Sequence, residues 1–112
     1  MGEIVEADRD NFWDVVGEGT VLADFWSEDC EPCKALEPEV ERMAEERPEL
    51  RVAKVEAPNA RRVSIDLKVM GLPTFLLFRD GEEVARLSDP EMTPPQLEEW
   101  LKENYDEQED GG

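Results

Sequence analysis

Histidine is absent from this chain of 112 residues, and cysteine occurs only twice. Without histidine there is no His-based catalytic triad, no two-histidine metal site and no side chain with an ordinary pKa near neutrality. Two cysteines are too few for a Cys₄ zinc site or a framework of structural disulfides, so we expect no metal. No apolar run approaches the ~20 residues of a membrane span, and the first residues do not resemble a basic, apolar-cored signal peptide.

Basic residues are also scarce. Twelve Lys and Arg oppose 30 Asp and Glu, which gives a formal net charge of −18. A polyanion repels phosphate backbones and anionic lipids, so we expect neither a nucleic-acid partner nor a membrane partner. Hydrophobic residues make up 39% of the chain and include three Trp, which is enough for a packed core. We therefore expect one cytoplasmic domain that works as a monomer.

Apolar periodicity predicts the element order β-α-β-α-β-α-β-β-α, which favours an α/β fold with a mixed central sheet flanked by helices. The predicted strands are 3–7, 21–26, 51–55, 72–78 and 83–87, with a tight turn at 79–82. The predicted helices begin after Asp8, at Pro32, after Asn59 and after Thr93. Residues 1–105 should form the domain, and residues 106–112 an acidic, disordered tail.

Three helix starts carry residues that are typical of caps. Asp8 and Asn59 are predicted to cap the first and third helices. Thr93 and Gln96 form a predicted capping box at the last helix, with Pro94 at its first position. These signals fix where the helices should begin.

The two cysteines lie between a predicted buried strand and the first turn of a predicted helix. Unpaired N–H groups and a partial positive charge at a helix N-terminus stabilise a thiolate at Cys30, and Pro32 suits the first helical turn. Cys30 is therefore predicted as the exposed attacking thiol and Cys33 as the more buried resolving thiol of a redox-active pair. Half of a metal site completed by a second subunit, and an inert structural disulfide, remain alternatives.

Two charged residues stand inside apolar strands. Asp24 interrupts the strand 21–26, and Lys54 is in the middle of the strand 51–55. A carboxylate in such a place is costly unless it is paired or protonated. Burial should raise the pKa of Asp24, and Lys54 should oppose that rise.

These features together make the chain resemble the thioredoxin family. The resemblance rests on 21–34, with its Asp-Phe-Trp and Cys-x-x-Cys-Lys, on Pro38, on the strand 52–54, on Gly-Leu-Pro-Thr at 71–74, on Asp-Gly at 80–81 and on the closing helix. The match runs in register from about residue 8 to residue 105. It implies the thioredoxin fold and a protein-disulfide reductase that carries electrons, with no cofactor beyond the Cys30–Cys33 disulfide.

The resemblance also implies roles for individual residues. Cys30 would attack a substrate disulfide, and Cys33 would resolve the mixed disulfide while Asp24 takes its proton through water, with Lys54 and Pro32 in support. The substrate would bind along residues 70–74, where Pro73 would be cis and the backbone of Leu72 would pair with an extended segment. The implied substrate-binding residues are Met70, Gly71, Leu72, Pro73, Thr74, Asp29 and Glu31. A flavin-dependent reductase similar to thioredoxin reductase would recharge the pair, and proteins with disulfides would receive the electrons.

The sequence departs from the family beside the cysteines. Asp29 replaces the usual Trp and Glu31 the usual Gly, and both carboxylates should disfavour the Cys30 thiolate and make the couple slightly more reducing. With Asp89 and Glu91 they predict an acidic rim that attracts basic partners. The segments 60–62 and 68–74 are similar to those of thioredoxins from anaerobic bacteria. A disulfide isomerase, or a thioredoxin-fold binding subunit whose cysteines are secondary, remains an alternative function.

Overall fold

A computed structural model describes residues 2–106 and contains one mixed sheet of five strands. The strands are β1 (Glu3–Ala7), β2 (Thr20–Trp26), β3 (Leu50–Glu56), β4 (Thr74–Arg79) and β5 (Glu82–Ser88). Their order in the sheet is β1-β3-β2-β4-β5. β1 and β2 run parallel to β3, whereas β4 is antiparallel to both β2 and β5. The predicted mixed sheet is confirmed.

Four α-helices flank this sheet in the predicted order. They are α1 (Phe12–Val15), α2 (Glu31–Glu46), α3 (Arg61–Asp66) and α4 (Pro94–Leu101). A 3₁₀ turn, Ala57–Asn59, precedes α3, and a π-helical turn, Lys102–Asp106, follows α4. α2 continues through Pro38, at which a kink is predicted from the sequence.

Side chains that alternate along the strands separate two cores, one on each face of the sheet. The core under α2 and α4 includes Leu22, Leu36, Val40, Val52, Phe75, Leu77, Leu97 and Leu101. The core under α1 and α3 includes Phe12, Val21, Ala23, Phe25, Val55, Val63, Leu76 and Phe78. Phe12 anchors the second core, because its ring centroid lies 6.0 Å from that of Phe25 and 5.8 Å from that of Phe78. Both faces of β2 are therefore covered, which agrees with its nearly continuous apolar sequence.

The predicted cap at Asp8 closes the turn that leads into α1, whereas the predicted cap at Asn59 is wrong. The Asp8 Oδ1 atom accepts hydrogen bonds from the N–H groups of Asp10 (2.9 Å) and Asn11 (3.0 Å), in a turn that ends before α1 begins. The Asn59 Nδ2 group donates to Glu56 Oε1 (2.9 Å), and Ala60 precedes α3 instead. The Asp8 side chain bonds as an N-cap does, to the second and third N–H groups after it. At Asn59 a local side-chain hydrogen bond competes with the capping geometry.

The start of α4 is as predicted. Thr93 Oγ1 accepts from the N–H of Gln96, and Gln96 Oε1 accepts from the N–H of Thr93. Pro94 is the first residue of the helix. The tight turn between β4 and β5 is also present, with positive φ angles of 49° at Asp80 and 88° at Gly81.

The chain remains helical as far as Asp106, one residue into the segment predicted as a tail. The guanidinium of Arg47 donates from Nε to Asp106 Oδ1 (3.0 Å) and from Nη2 to Asp106 Oδ2 (2.9 Å). Arg47 also lies over the ring of Tyr105, 5.9 Å from its centroid. These contacts attach the π-helical turn Lys102–Asp106 to the end of α2. The rest of the predicted tail, 107–112, lies outside the described residues.

Candidate active site

The two cysteines form a disulfide at the start of α2, just beyond the end of β2. Cys30 is the N-cap residue of this helix, and its Sγ accepts a hydrogen bond from the backbone N–H of Cys33 at 3.2 Å. Cys30 is half-buried, whereas only 6% of Cys33 is exposed. Pro32 follows in the first turn, where its missing N–H is not needed. The helix N-terminus therefore directs its N–H groups and its positive end at the Cys30 sulfur.

Residues 70–74 reach the same end of the sheet. Thr74 opens β4 and is paired with Phe25 in the register of β2, one residue before that strand ends. The Leu72–Pro73 peptide bond is cis, as the family resemblance implies, and Pro73 is buried. Met70 stands out from this segment, with 94% of its surface exposed. Met70 is therefore an exposed apolar side chain just before the cis proline.

The Thr74 hydroxyl forms hydrogen bonds both within this segment and to β5. Its hydroxyl donates to the carbonyl of Gly71 at 2.5 Å and lies 2.8 Å from the hydroxyl of Ser88 in β5. The backbone N–H of Asp89 donates to the carbonyl of Pro73 at 3.4 Å. The segment that holds the cis proline is thus joined to the loop that follows β5.

Asp24 is buried beneath this end of the sheet, with 5% of its surface exposed. It lies directly beside Lys54 in the parallel register of β2 and β3. Burial raises the pKa of Asp24 to about 7, because it penalises the charged carboxylate. The positive charge of Lys54 opposes that rise, and the negative charge of Glu37 adds to it. Burial outweighs Lys54, a balance that the sequence left open.

The ammonium group of Lys54 is paired with Glu37. Its Nζ donates to Glu37 Oε1 at 2.7 Å and lies 5.2 Å from the centroid of the Trp26 ring. Among the residues that the structure describes, Asp24 itself has no direct ion pair. Sequence reasoning missed Glu37, because the helical pattern places it on the solvated face of α2. The available signal was its spacing: four residues after Cys33, it lies on the same face of the helix as that cysteine.

The predicted acidic rim divides into free and bound carboxylates. Asp29 and Glu31 are exposed, and Glu31 has only a loose contact with Lys34, 3.7 Å from Oε2 to Nζ. Asp89 is engaged: its Oδ1 accepts from the N–H of Glu91 at 2.8 Å and its Oδ2 from Nε2 of Gln96 at 3.0 Å. These hydrogen bonds hold the pKa of Asp89 below its usual range. Asp89 therefore braces its loop, and the exposed carboxylates of the predicted rim are Asp29 and Glu31 beside Cys30, and Glu91 in the loop after β5.

The described residues contain no cluster of three or more Cys, Asp or Glu side chains that could hold a metal ion. None of the helices within residues 2–106 combines the length and apolar character that a membrane crossing requires.

Comparison with known proteins decides the family. The thioredoxin family model matches residues 3–103, which include the cysteine pair, Asp24, Lys54 and the cis proline. The chain belongs to the thioredoxin family. This result confirms the resemblance that the sequence motifs indicated.

The relatives cover almost the whole domain. A thioredoxin of Acetoanaerobium sticklandii is 42% identical over 100 residues, which is 87% of this chain and 95% of that protein. A thioredoxin of Peptoclostridium acidaminophilum is 38% identical over 102 residues, 88% of this chain and 92% of that one. The predicted similarity to thioredoxins of anaerobic bacteria is confirmed.

Two solved structures share the fold. A mutant thioredoxin from Halobacterium salinarum has a TM-score of 0.76 at 30% identity, covering 91% of this chain and 89% of that one. Thioredoxin f2, solved with ferredoxin:thioredoxin reductase, has a TM-score of 0.81 at 21% identity, covering 90% of this chain and 94% of that one. The predicted thioredoxin fold is thereby confirmed.

The function follows from the family together with the disulfide. This thioredoxin is a thiol-disulfide oxidoreductase whose redox-active group is the Cys30–Cys33 disulfide. Its activity is that of a protein-disulfide reductase.

Proposed function

We propose that this thioredoxin reduces protein disulfides with Cys30 as the attacking sulfur, Cys33 as the resolving sulfur and Asp24 as the acceptor of the Cys33 proton. The observation that carries the proposal is the hydrogen bond from the N–H of Cys33 to Cys30 Sγ at the N-cap of α2. An N–H donor and a helix N-terminus favour the thiolate form of the sulfur that they face. Cys33 is buried behind it, where a resolving thiol is protected from competing reactions.

The proposed reaction has two displacements. The Cys30 thiolate attacks one sulfur of the substrate disulfide, a mixed disulfide forms, and the other substrate sulfur leaves as a thiolate. Cys33 then loses its proton and attacks the Cys30 sulfur, so that the bond between Cys30 and the substrate breaks. Two electrons pass from the protein dithiol to the substrate, and the chain ends with its own disulfide.

Asp24 is suited to accept the proton in the second displacement. A general base works best when its pKa is near the operating pH, and burial raises the pKa of Asp24 to about 7. In this chain without histidine, Asp24 supplies a base that titrates near neutrality. We expect the proton to travel through an intervening water, with Pro32 and Lys54 shaping the site.

The substrate is proposed to lie along residues 70–74. Met70 and Leu72 offer apolar contact there, and the backbone of Leu72 is available to pair with an extended substrate segment. Asp29 and Glu31 add exposed negative charge beside Cys30. We therefore expect disulfide-bearing partners with basic surfaces near the reactive bond.

The electron donor is proposed to be a reductase, and more narrowly a flavin-dependent one. Thioredoxin f2, of the same fold, has been solved in complex with ferredoxin:thioredoxin reductase, which supports a reductase as the general kind of partner. We place the protein in the cytoplasm, where reducing systems keep such a dithiol supplied with electrons.

Trapping of mixed disulfides tests the proposal. In Cys33→Ser the second displacement cannot occur, so Cys30 should retain its substrates as adducts that dithiothreitol releases. The matched control is Cys30→Ser, in which the reactive sulfur is absent and the adducts should disappear. Equal adducts from both variants would contradict the assignment of Cys30 as nucleophile. If the biological function survived Cys30→Ser, the protein would instead be a binding subunit.

A further inference from the structure

A row of charged residues crosses the sheet beneath the disulfide. Glu6 in β1, Lys54 in β3 and Asp24 in β2 are neighbours in register. Lys54 is therefore flanked by a carboxylate on either side, yet its Nζ donates to neither and is hydrogen bonded to Glu37 of α2. The helix thus determines where the only cation of this row is held.

We propose that Glu37 is a positioning residue for the proton transfer from Cys33: it holds the Lys54 ammonium against α2, so that Asp24 is left without an ion-pair partner. The proposal rests on the role of Asp24 proposed above. Glu37 touches neither sulfur, and it acts through Lys54 and Asp24. Its place one turn after Cys33 connects the same helix to both the resolving thiol and the base.

Desolvation explains why Lys54 pairs with Glu37 and not with Asp24. The side chains of Lys54 and Glu37 are 23% and 44% exposed, so their ion pair keeps part of its hydration. A pair between Lys54 and Asp24 would draw the ammonium toward a carboxyl group that is almost fully buried. Such a pair has a larger desolvation penalty. Glu37 therefore offers the less costly partner.

The pairing of Lys54 with Glu37 affects the base strength of Asp24. With Lys54 held by Glu37, burial dominates and the pKa of Asp24 stays near neutrality. Without Glu37, the site loses a negative charge and the ammonium is free to approach Asp24. Both changes stabilise the ionised carboxylate and make it a weaker proton acceptor.

Other charged groups also face Lys54. A pocket of about 150 Å³ beside it is lined by Glu6, Asp8 and Glu56, among other residues. Glu6 provides a matched control, because Glu6→Gln removes one carboxylate next to Lys54 without touching α2. Glu6→Gln and Glu37→Gln each remove one negative charge near Lys54, so a difference between them cannot come from net charge alone.

The experiment is a titration of the Asp24 carboxyl carbon by NMR between pH 4 and 9, in the oxidised wild type, Glu37→Gln and Glu6→Gln. We expect the Asp24 midpoint in Glu37→Gln to fall by roughly 0.5–1 unit, and that in Glu6→Gln to change by less than about 0.2 unit. Glu37→Asp should recover part of the shift. In a Lys54→Met background, Glu37→Gln should have a smaller effect, since the part of its action that passes through Lys54 is already removed.

Kinetics separate this inference from the proposed function. The rate at which Cys33 resolves a mixed disulfide is measured against pH in wild type, Asp24→Asn and Glu37→Gln. An unchanged profile in Asp24→Asn would overturn the role of Asp24 itself. If Asp24→Asn alters the profile while Glu37→Gln leaves both the profile and the Asp24 midpoint in place, only the positioning role of Glu37 is overturned.

Discussion

Asp24 and Lys54 lie directly beside each other in the register of β2 and β3, but Lys54 is paired with a residue of α2. Opposite charges on neighbouring strands attract each other and can form an ion pair. Here the buried carboxyl group is left to its apolar surroundings, and that burial raises its pKa to about 7. The site therefore maintains a proton acceptor at a cost to the stability of the folded chain.

The first prediction is that Asp24→Asn stabilises the protein at neutral and alkaline pH. The pKa of Asp24 is raised by folding from its ordinary 3.8 to about 7. Below pH 3.8 both states are protonated and the group costs nothing. Above it the unfolded chain ionises first, so the cost of burial grows with pH and is complete above pH 7.

We expect the variant to gain on the order of 4 kcal/mol in free energy of unfolding at pH 8 and almost nothing at pH 3. Urea unfolding at a series of pH values measures this difference. Asp10→Asn, an exposed position, is the control and should show no such trend. An advantage of Asp24→Asn that is equal at pH 3 and pH 8 would contradict the raised pKa.

The second prediction concerns the rim beside Cys30. Asp29→Asn with Glu31→Gln should slow the reduction of a disulfide peptide flanked by lysines by about threefold to tenfold at low ionic strength. The difference should shrink at high salt, because exposed charges are screened. Stopped-flow measurement of the second-order rate constant checks it.

A control with the same change in net charge is Glu18→Gln with Glu49→Gln. Both residues line a cavity at the opposite end of β2 and β3 from the cysteines. This pair should leave the rate nearly unaltered. If both double variants slow the reaction equally, net charge and not the rim selects the partner.

The third prediction tests the start of α4. Thr93→Ala removes the hydroxyl that accepts from the N–H of Gln96, and it should lower the free energy of unfolding by about 1 kcal/mol. Thr93→Ser keeps an acceptor and should lose only a fraction of that amount. Denaturant unfolding of the three proteins is sufficient, and equal losses in both variants would argue against the cap.

The fourth prediction concerns the attachment of the last helical turn. Asp106→Asn leaves the buried guanidinium of Arg47 without the charge of its carboxylate partner. We expect a loss of about 1 kcal/mol, moderated because the side chain of Asp106 is 38% exposed. Chemical unfolding measures the loss, and Asp66→Asn, whose partner Arg62 is exposed, should change stability much less.

The element order could be predicted because each element has its own local signal. Apolar runs bounded by polar residues identified β2 and β3, and the capping box identified the start of α4. The cap at Asn59 was wrong, since an Asn side chain bonds equally well to neighbours in a turn. The sequence indicates that such a side chain will form a local hydrogen bond, but it does not show which backbone or side-chain group will be the partner.

Site residues could be predicted where the residue type and its motif indicate the role, as at Cys30, Cys33 and Pro73. Glu37 could not be, because a helical pattern separates apolar from polar faces and cannot measure depth. Its contact with Lys54 joins α2 to β3 across 17 positions of the chain. The same limit applied to Asp89, whose carboxylate was expected at a rim and instead braces its own loop.

The two outer strands of the sheet carry acidic side chains. β1 carries Glu6 and β5 begins with Glu82, while Glu3 and Glu83 on the same strands are paired with Arg51 and Arg86. An open strand edge is a template for pairing with another copy, but two such edges would bring like charges together. Electrostatic repulsion between the edge strands of two copies therefore opposes pairing that would extend the sheet and its apolar inner strands. Concentrated solutions of this thioredoxin should accordingly resist the growth of fibrils.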